Sequence, residues 1–297
     1  MKSLKEILKD AEKNKVAIGH FNFSDLAGLK AIFEAAREIS KSQNIIVPVM
    51  VGVSEGEREF VGTWASAALV KTMREQYDYP IYLNADHTRS LDKVEEAAMA
   101  GFDEILFDGA HLPFEENIRQ TREAVKIVRA INPNIVVEGE IGYIGTSSEV
   151  MKEKPKGIEL TTPEEAARFV KETGVNILAP AVGNMHGLLA RTNADGTRTY
   201  AEKRLDIVRI EAIKKAVQIP LTLHGGSGTN DEDFRKAIRA GITIIHINTE
   251  IRLAWRRGVE DSLKKNPNEV APYKILPPAV DAVKRVVSER LRLFSGE

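Results

Sequence analysis

Eight short aliphatic, β-branched runs recur along this 297-residue chain, and helix-like stretches separate them. The runs lie at 16–21, 45–51, 81–84, 104–107, 135–140, 176–182, 220–224 and 243–247. The helical stretches between them fall near 25–39, 60–76, 90–100, 115–131, 163–173, 204–217 and 231–240. Thr162-Pro163-Glu164-Glu165 has the composition of a helix start, and Gly101 and Gly241 stand where helices should end. A helix after every strand implies parallel βα units, and eight such units fit an α/β fold of the closed (β/α)8 TIM-barrel type. The strands read as near-continuous apolar runs, as burial on both faces requires. The expected organisation is a single domain over 1–297, with the barrel at about 14–255 and a C-terminal helical extension at about 256–297. Two polar segments, 142–158 and 188–203, are expected to be long loops.

Composition narrows the chemistry. Lys plus Arg number 42 against 43 Asp plus Glu, which is not the basic footprint of a nucleic-acid binder. There is no cysteine, so histidine and carboxylate are the strong metal ligands left. The charged start Met1-Lys2-Ser3-Leu4-Lys5-Glu6 lacks a signal-peptide core, and no apolar run is long enough to span a bilayer. A cytoplasmic protein without membrane or nucleic-acid partners is expected.

Three of the six histidines, His87, His186 and His224, close the third, sixth and seventh of these apolar runs. In a barrel, strand ends meet at the face where active sites form. Three imidazoles gathered there match the three protein ligands and one open position of a catalytic zinc site. Asp86 beside His87 is placed for proton transfer if the strand has ended; its bland role is to cap the helix near Ser90. Asp108 and Glu140 reach the same rim, where they could bind a second cation or orient the histidines. The run Gly225-Gly226-Ser227-Gly228, with Asn248-Thr249 after the last strand, suits a phosphate held by backbone N–H groups. His20 and His111 are read as structural, with His111 packing against or capping the helix that follows it.

The phrases Gly19-His20-Phe21-Asn22, Val53-Ser54-Glu55-Gly56, Leu83-Asn84-Ala85-Asp86-His87 and Val137-Glu138-Gly139-Glu140-Ile141-Gly142 occur in collinear order with Val182-Gly183-Asn184-Met185-His186-Gly187 and the stretch 220–228. Together they resemble the class II, metal-dependent ketose-bisphosphate aldolases over about residues 5–255. The resemblance implies that His87, His186 and His224 hold Zn²⁺ and that Asp86 handles the C4 hydroxyl proton. It implies a second divalent or a monovalent cation site at Asp108 and Glu140. Asn22, Ser54, Gly187, Gly225, Gly226, Ser227 and the 246–249 segment, with His246, Asn248 and Thr249, would bind the sugar phosphate. Glu149 would move the carbon-bound proton, although its register is off by about one residue. The implied reaction is reversible cleavage of a ketose 1,6-bisphosphate, fructose 1,6-bisphosphate first, to dihydroxyacetone phosphate and glyceraldehyde 3-phosphate. A homodimer or homotetramer is implied as well.

The chain departs from the family pattern on its last strand, after the Asp-His pair and in one loop. His246 stands in place of an asparagine and Ile244 in place of a lysine. Thr88-Arg89 follow the Asp-His pair where a glycine is usual, and Gly145-Thr146-Ser147-Ser148-Glu149 replaces a Gly-Gly-Glu loop. These changes open a second reading, an aldolase or retro-aldol epimerase for another sugar phosphate such as tagatose 1,6-bisphosphate. His246 would then be a further metal ligand, a phosphate contact or an acid/base group. A third reading is a barrel that binds sugar phosphate without catalysis; retention of Asp86 and Glu149 argues against it.

Overall fold

The computed structural model describes residues 1–145, 149–151, 153, 159–192 and 198–297. Its strands are β1 (Ile18–Asn22), β2 (Val49–Val53), β3 (Ile81–Thr88), β4 (Glu104–Phe107), β5 (Val136–Ile141), β6 (Val150–Met151), β7 (Ile177–Pro180), β8 (Leu188–Thr192), β9 (Arg198–Tyr200), β10 (Leu221–Leu223) and β11 (Ile242–Ile247). Eight of them close a barrel in the order β1-β2-β3-β4-β5-β7-β10-β11 and back to β1, each pair parallel. The TIM-barrel expectation holds.

Strand alternation sorts the side chains into two populations. Outward residues such as Phe21, Val51, Leu83, Ile105, Val137, Leu223 and Ile245 pack under the surrounding helices in the main core. Inward residues change character along each strand. Ile18, Met50, Tyr82, Val136, Ile177 and Ile244 form an apolar floor. Above it, His20, Asn84, Glu104, Glu138 and Thr222 are fully buried. The expectation of strands apolar on both faces is therefore corrected: only the lower half of the interior is apolar, and the upper half carries the chemistry.

The floor is sealed by a helix that the sequence reading did not anticipate, Leu4–Asn14. Ser3 and Glu6 cap it reciprocally, and Leu4, Leu8 and Ala11 pack on the floor residues. Tyr82 donates its hydroxyl to the Lys2 carbonyl at 2.6 Å, tying that helix to the barrel interior. The helix Pro277–Phe294 packs against helices Leu26–Gln43 and Thr249–Lys265 and joins the outer ring. A Cβ on Gly258 would lie 2.5 Å from the Ala279 Cα, so glycine is what lets two of these helices meet.

Two further expectations change. The second strand starts at Val49 rather than at 45, leaving Ile45 and Ile46 exposed before Pro48. The described residues of 188–203 are not a plain loop: β8 pairs antiparallel with β9, and β6 adds in parallel to β8. Leu188-Leu189 and Thr199-Tyr200, flanking the turn composition Asn193-Ala194-Asp195-Gly196, are the signal. Residues 193–197 lie outside the described residues, as do Thr146, Ser147 and Ser148 of the departing loop.

Candidate active site

Consecutive residues of a regular strand point to opposite faces, so Asp86 and His87 can share one only if the strand is interrupted. It does not end: β3 continues through Thr88. Instead its register against β4 shifts between Ala85 and Thr88, and His87 adopts φ 44°. This bulge turns both side chains toward the barrel mouth. The Asp86 Oδ1 stands 3.8 Å from His87 Nε2. Helix Leu91–Ala100 is capped by Ser90, so Asp86 has no capping duty.

His186 follows β7 and His224 follows β10, and both converge on His87. Ring centroids are 4.8 Å apart for His87–His186, 5.0 Å for His87–His224 and 6.0 Å for His186–His224. One ligand atom from each of the three lies within 4.8 Å of the others. His186 Nε2 and His224 Nδ1 are buried without a hydrogen-bond partner. Buried polar atoms are rarely left unpaired, so such atoms pointing at one place fit a cation. The opposite nitrogens are held from behind. His224 Nε2 lies 2.7 Å from Glu138 Oε1, and His87 Nδ1 lies 3.0 Å from Asp108 Oδ2. With a carboxylate as acceptor, the far nitrogen keeps its proton when the imidazole is neutral, as metal binding requires, and the near one then presents its lone pair. The donor set therefore fits a divalent metal.

The carboxylates divide by their surroundings. Burial resists ionisation of Asp86, but His87, His20, His224 and the Asn22 hydrogen bond outweigh it and hold the carboxyl well below its usual range. Asn22 donates to Asp86 Oδ2 and to Glu57 Oε2, each at 2.8 Å, while Asp86 Oδ1 has no partner. Asp86 thus offers one free acceptor atom on an anchored side chain. Burial opposes charge on His87, yet Asp86, Asp108 and Glu140 raise it to about 10. Burial, then the His87 charge, pulls His224 down to about 3. Asp108 is engaged by His87, Arg89 and the Ala110 N–H, and Glu140 Oε2 lies 3.5 Å from His87 Nδ1. Both acids therefore stand behind His87.

A cavity of about 210 Å³ opens beside the histidines. Asn22, Ser54, Asp86, His87, His186, Gly187, His224, Gly225, Ser227, His246, Asn248 and Thr249 all line it. Gly225 has φ +59°, and a Cβ there would sit 2.3 Å from the Met185 carbonyl oxygen. The turn leads to Ser227, whose Oγ accepts from Glu250 N at the start of helix Thr249–Lys265. That helix N-terminus and the glycine turn make an anion-holding corner. Gly226 does not line the cavity; its N–H is donated to the His246 carbonyl. Glu149 is exposed outside the cavity, and its carbonyl accepts from Leu188 N.

Of the two departures on β11, only His246 reaches the cavity; Ile244 lies in the apolar floor. His246 stacks on His20 at 3.5 Å with planes 5° apart, and its Nδ1 is 3.6 Å from Asp86 Oδ1. The structural reading of His20 is thus incomplete: it is buried, stacks on a cavity residue, and shares a candidate cation group with Asp86 and His246. His111 is exposed, and the helix after it starts at Phe114 without a side-chain cap, which corrects the packing or capping expectation.

The chain has recognisable relatives. A family model described as fructose-bisphosphate aldolase class-II matches residues 2–297. The chain belongs to the class II aldolases. It is 36% identical to a fructose-bisphosphate aldolase of Geobacillus stearothermophilus, over 99% of this chain and 96% of that protein. It is 33% identical to a 6-phospho-5-dehydro-2-deoxy-D-gluconate aldolase of Bacillus licheniformis, over 99% and 94% of the two chains. Among solved structures it resembles the YdjI aldolase of Escherichia coli K12, with a TM-score of 0.80 and 29% identity over 98% of this chain and 96% of that one. As a class II aldolase, the chain is a lyase of the aldolase type.

Several residues of this aldolase site escaped the sequence reading. Glu138 shares the inward face with Glu140 by simple alternation, and an acid at that spacing was the available signal. Arg252 lies one helical turn beyond Thr249 and reaches the cavity, where it also pairs with Glu57 Oε1 at 2.6 Å. Arg89, which the sequence marked only as part of a departure, lines the cavity too. Lys203 is buried, with no sequence signal beyond being a lysine in a segment read as a loop.

Proposed function

We propose that this class II aldolase is zinc-dependent and cleaves a ketose 1,6-bisphosphate, fructose 1,6-bisphosphate first, to dihydroxyacetone phosphate and glyceraldehyde 3-phosphate. The observation that carries the reading is the convergence of three imidazoles, with unpartnered nitrogens on His186 and His224, beside the free Oδ1 of Asp86. His87, His186 and His224 would hold the metal, which supplies Lewis-acid stabilisation of the charge developing on the ketose carbonyl oxygen. Asp86, ionised and anchored by Asn22, accepts the C4 hydroxyl proton at Oδ1 as the C3–C4 bond breaks, and returns it in synthesis. The Gly225–Ser227 turn and the N-terminus of helix Thr249–Lys265 bind the phosphate of the dihydroxyacetone half. Arg89 and Arg252 add positive charge to a cavity that must take two phosphates. Asp108, Glu138 and Glu140 orient the imidazoles, and Glu149 is assigned the carbon-bound proton. We place the enzyme in the cytoplasm as a homodimer or homotetramer; no helix among the described residues is long and apolar enough to cross a membrane.

The test is a coupled assay for dihydroxyacetone phosphate on metal-stripped protein with and without added Zn²⁺. Cleavage should disappear on stripping and return with zinc; equal turnover in both states overturns the proposal. His246 supports a second reading, aldol cleavage or epimerisation of another sugar phosphate such as tagatose 1,6-bisphosphate. A 6-phosphorylated oxo acid like that named for the Bacillus licheniformis relative belongs in the same comparison. His246→Asn should then raise turnover of fructose 1,6-bisphosphate relative to these competitors. Unchanged preference removes the basis of that reading.

A further inference from the structure

Lys203 is 5% exposed, and its ammonium donates to two main-chain carbonyls, Met185 at 2.6 Å and Gly225 at 2.9 Å. Each acceptor is the immediate neighbour of a proposed zinc ligand: Met185 precedes His186, and Gly225 follows His224. The two loops already abut, since Asn184 Nδ2 donates to the His224 carbonyl at 3.0 Å. Lys203 does not line the cavity, so it is not placed to attack a carbonyl substrate. Its backbone is fixed as well: Lys203 N donates to the Gly228 carbonyl, and the residue bridges to Thr229. Two residues earlier, Ala201 N donates to Leu189 of β8, so the lysine is also the foot of the small outer sheet.

We propose that Lys203 is a positioning residue whose buried ammonium acts as a tethered cation, clamping the His186 and His224 loops at the separation that metal binding needs. The inference rests on the three-histidine reading of the metal site. Two carbonyl oxygens have only lone pairs to offer, so joining them takes a group with at least two N–H or O–H donors, and an ammonium has three. A tethered ammonium fills that role without being drawn from solution, and it links the outer sheet to two ligands of the site. Residues that orient ligands from outside the coordination sphere typically change metal affinity about 10–100-fold when lost.

The experiment measures Zn²⁺ affinity by competition with a chromophoric chelator, on full-length metal-stripped wild type, Lys203→Met and Lys203→Ala, with circular dichroism and melting of each apo protein. Lys203→Met keeps the stem and loses the charge; it should stay folded and bind zinc about 10–100-fold more weakly. Lys203→Ala leaves space for a small cation, so ammonium or methylammonium should restore part of its zinc affinity, while Lys203→Met gains nothing. Zinc affinity of Lys203→Met within twofold of wild type overturns the proposal. If Lys203→Met does not fold, Lys203→Ala decides, and absence of rescue by either cation overturns it. Wild type that binds no zinc sinks the metal-site reading together with this one, whereas wild type that binds while the variants match it sinks this one alone.

Discussion

Replacing Glu138 by Gln separates the cost of the polar interior from its use. Glu138 offers Oε1 to His224 Nε2 at 2.7 Å and Oε2 to Thr222 Oγ1 at 2.9 Å, and neither Glu138 nor His224 is more than 1% exposed. Glutamine has nearly the same shape but one acceptor oxygen and no charge. A hydrogen bond to a charged group contributes about 1.5–3 kcal/mol and a neutral one about 0.5–1.5, so the loss is about 1–1.5 kcal/mol. If that loss falls on the ligand lone pair of His224, zinc affinity should drop about tenfold. The metal-free fold should respond in the other direction. Burial, with Asp86 adding to it, raises the Glu138 carboxyl from 4.5 to about 7 despite its hydrogen bonds to Glu104 and Thr222. A group raised in the folded state keeps a proton there that the unfolded chain has released. Its stabilisation is present below about 4.5 and fades as pH climbs to about 7. Glu138→Gln should flatten that decline. The assays are chelator competition for zinc and urea unfolding of metal-stripped protein at pH 5 and pH 8. Unchanged zinc affinity together with an unchanged pH slope would refute the orienting role and the cost assigned to it.

Three other outcomes are expected. Asp86→Asn should lower kcat about 10²–10⁴-fold, as loss of a general base does, while zinc affinity stays within about threefold; retained turnover would remove Asp86 from the chemistry. Gly52→Ala puts a Cβ 2.3 Å from His20 Cε1, so the ring must leave its stack on His246; overpacking should cost about 1–3 kcal/mol in urea unfolding, and an unchanged midpoint would contradict the packing. Leu8→Ala opens a void between the N-terminal helix and the barrel floor and should cost about 2–5 kcal/mol; a change below 0.5 in calorimetry or urea unfolding, of the size usual at exposed sites, would show that the helix contributes little.

Much of this architecture could be read directly from residues. The helix Pro163–Thr173 runs between the bounds that Thr162-Pro163 and Gly174 mark, because capping chemistry is local. The eight barrel strands emerged because their outward faces are apolar. Side chains that meet only through closure were less visible. His20 and His246 stand 226 positions apart in sequence, yet their strands are neighbours paired residue for residue, which nothing local announces. Glu138 looked like an ordinary charge in a motif until the barrel closed it against His224. The Ser3–Glu6 capping pair was legible and went unread, since a helix before the first strand lies outside the βα repeat. Lys203 lay beyond any periodicity, because its partners are main-chain oxygens and carry no side-chain signature.

The left-handed residue in β3 ties Asp86, the proposed proton acceptor, and the His87 imidazole together through a single peptide link. His186 and His224 come from strands about 100 and 140 positions downstream, so breathing of the cylinder alters how they approach His87. It cannot separate Asp86 from His87 to the same degree. Mutations that loosen the far wall should thus weaken ion capture well before they spoil the alignment between the base and its neighbouring imidazole.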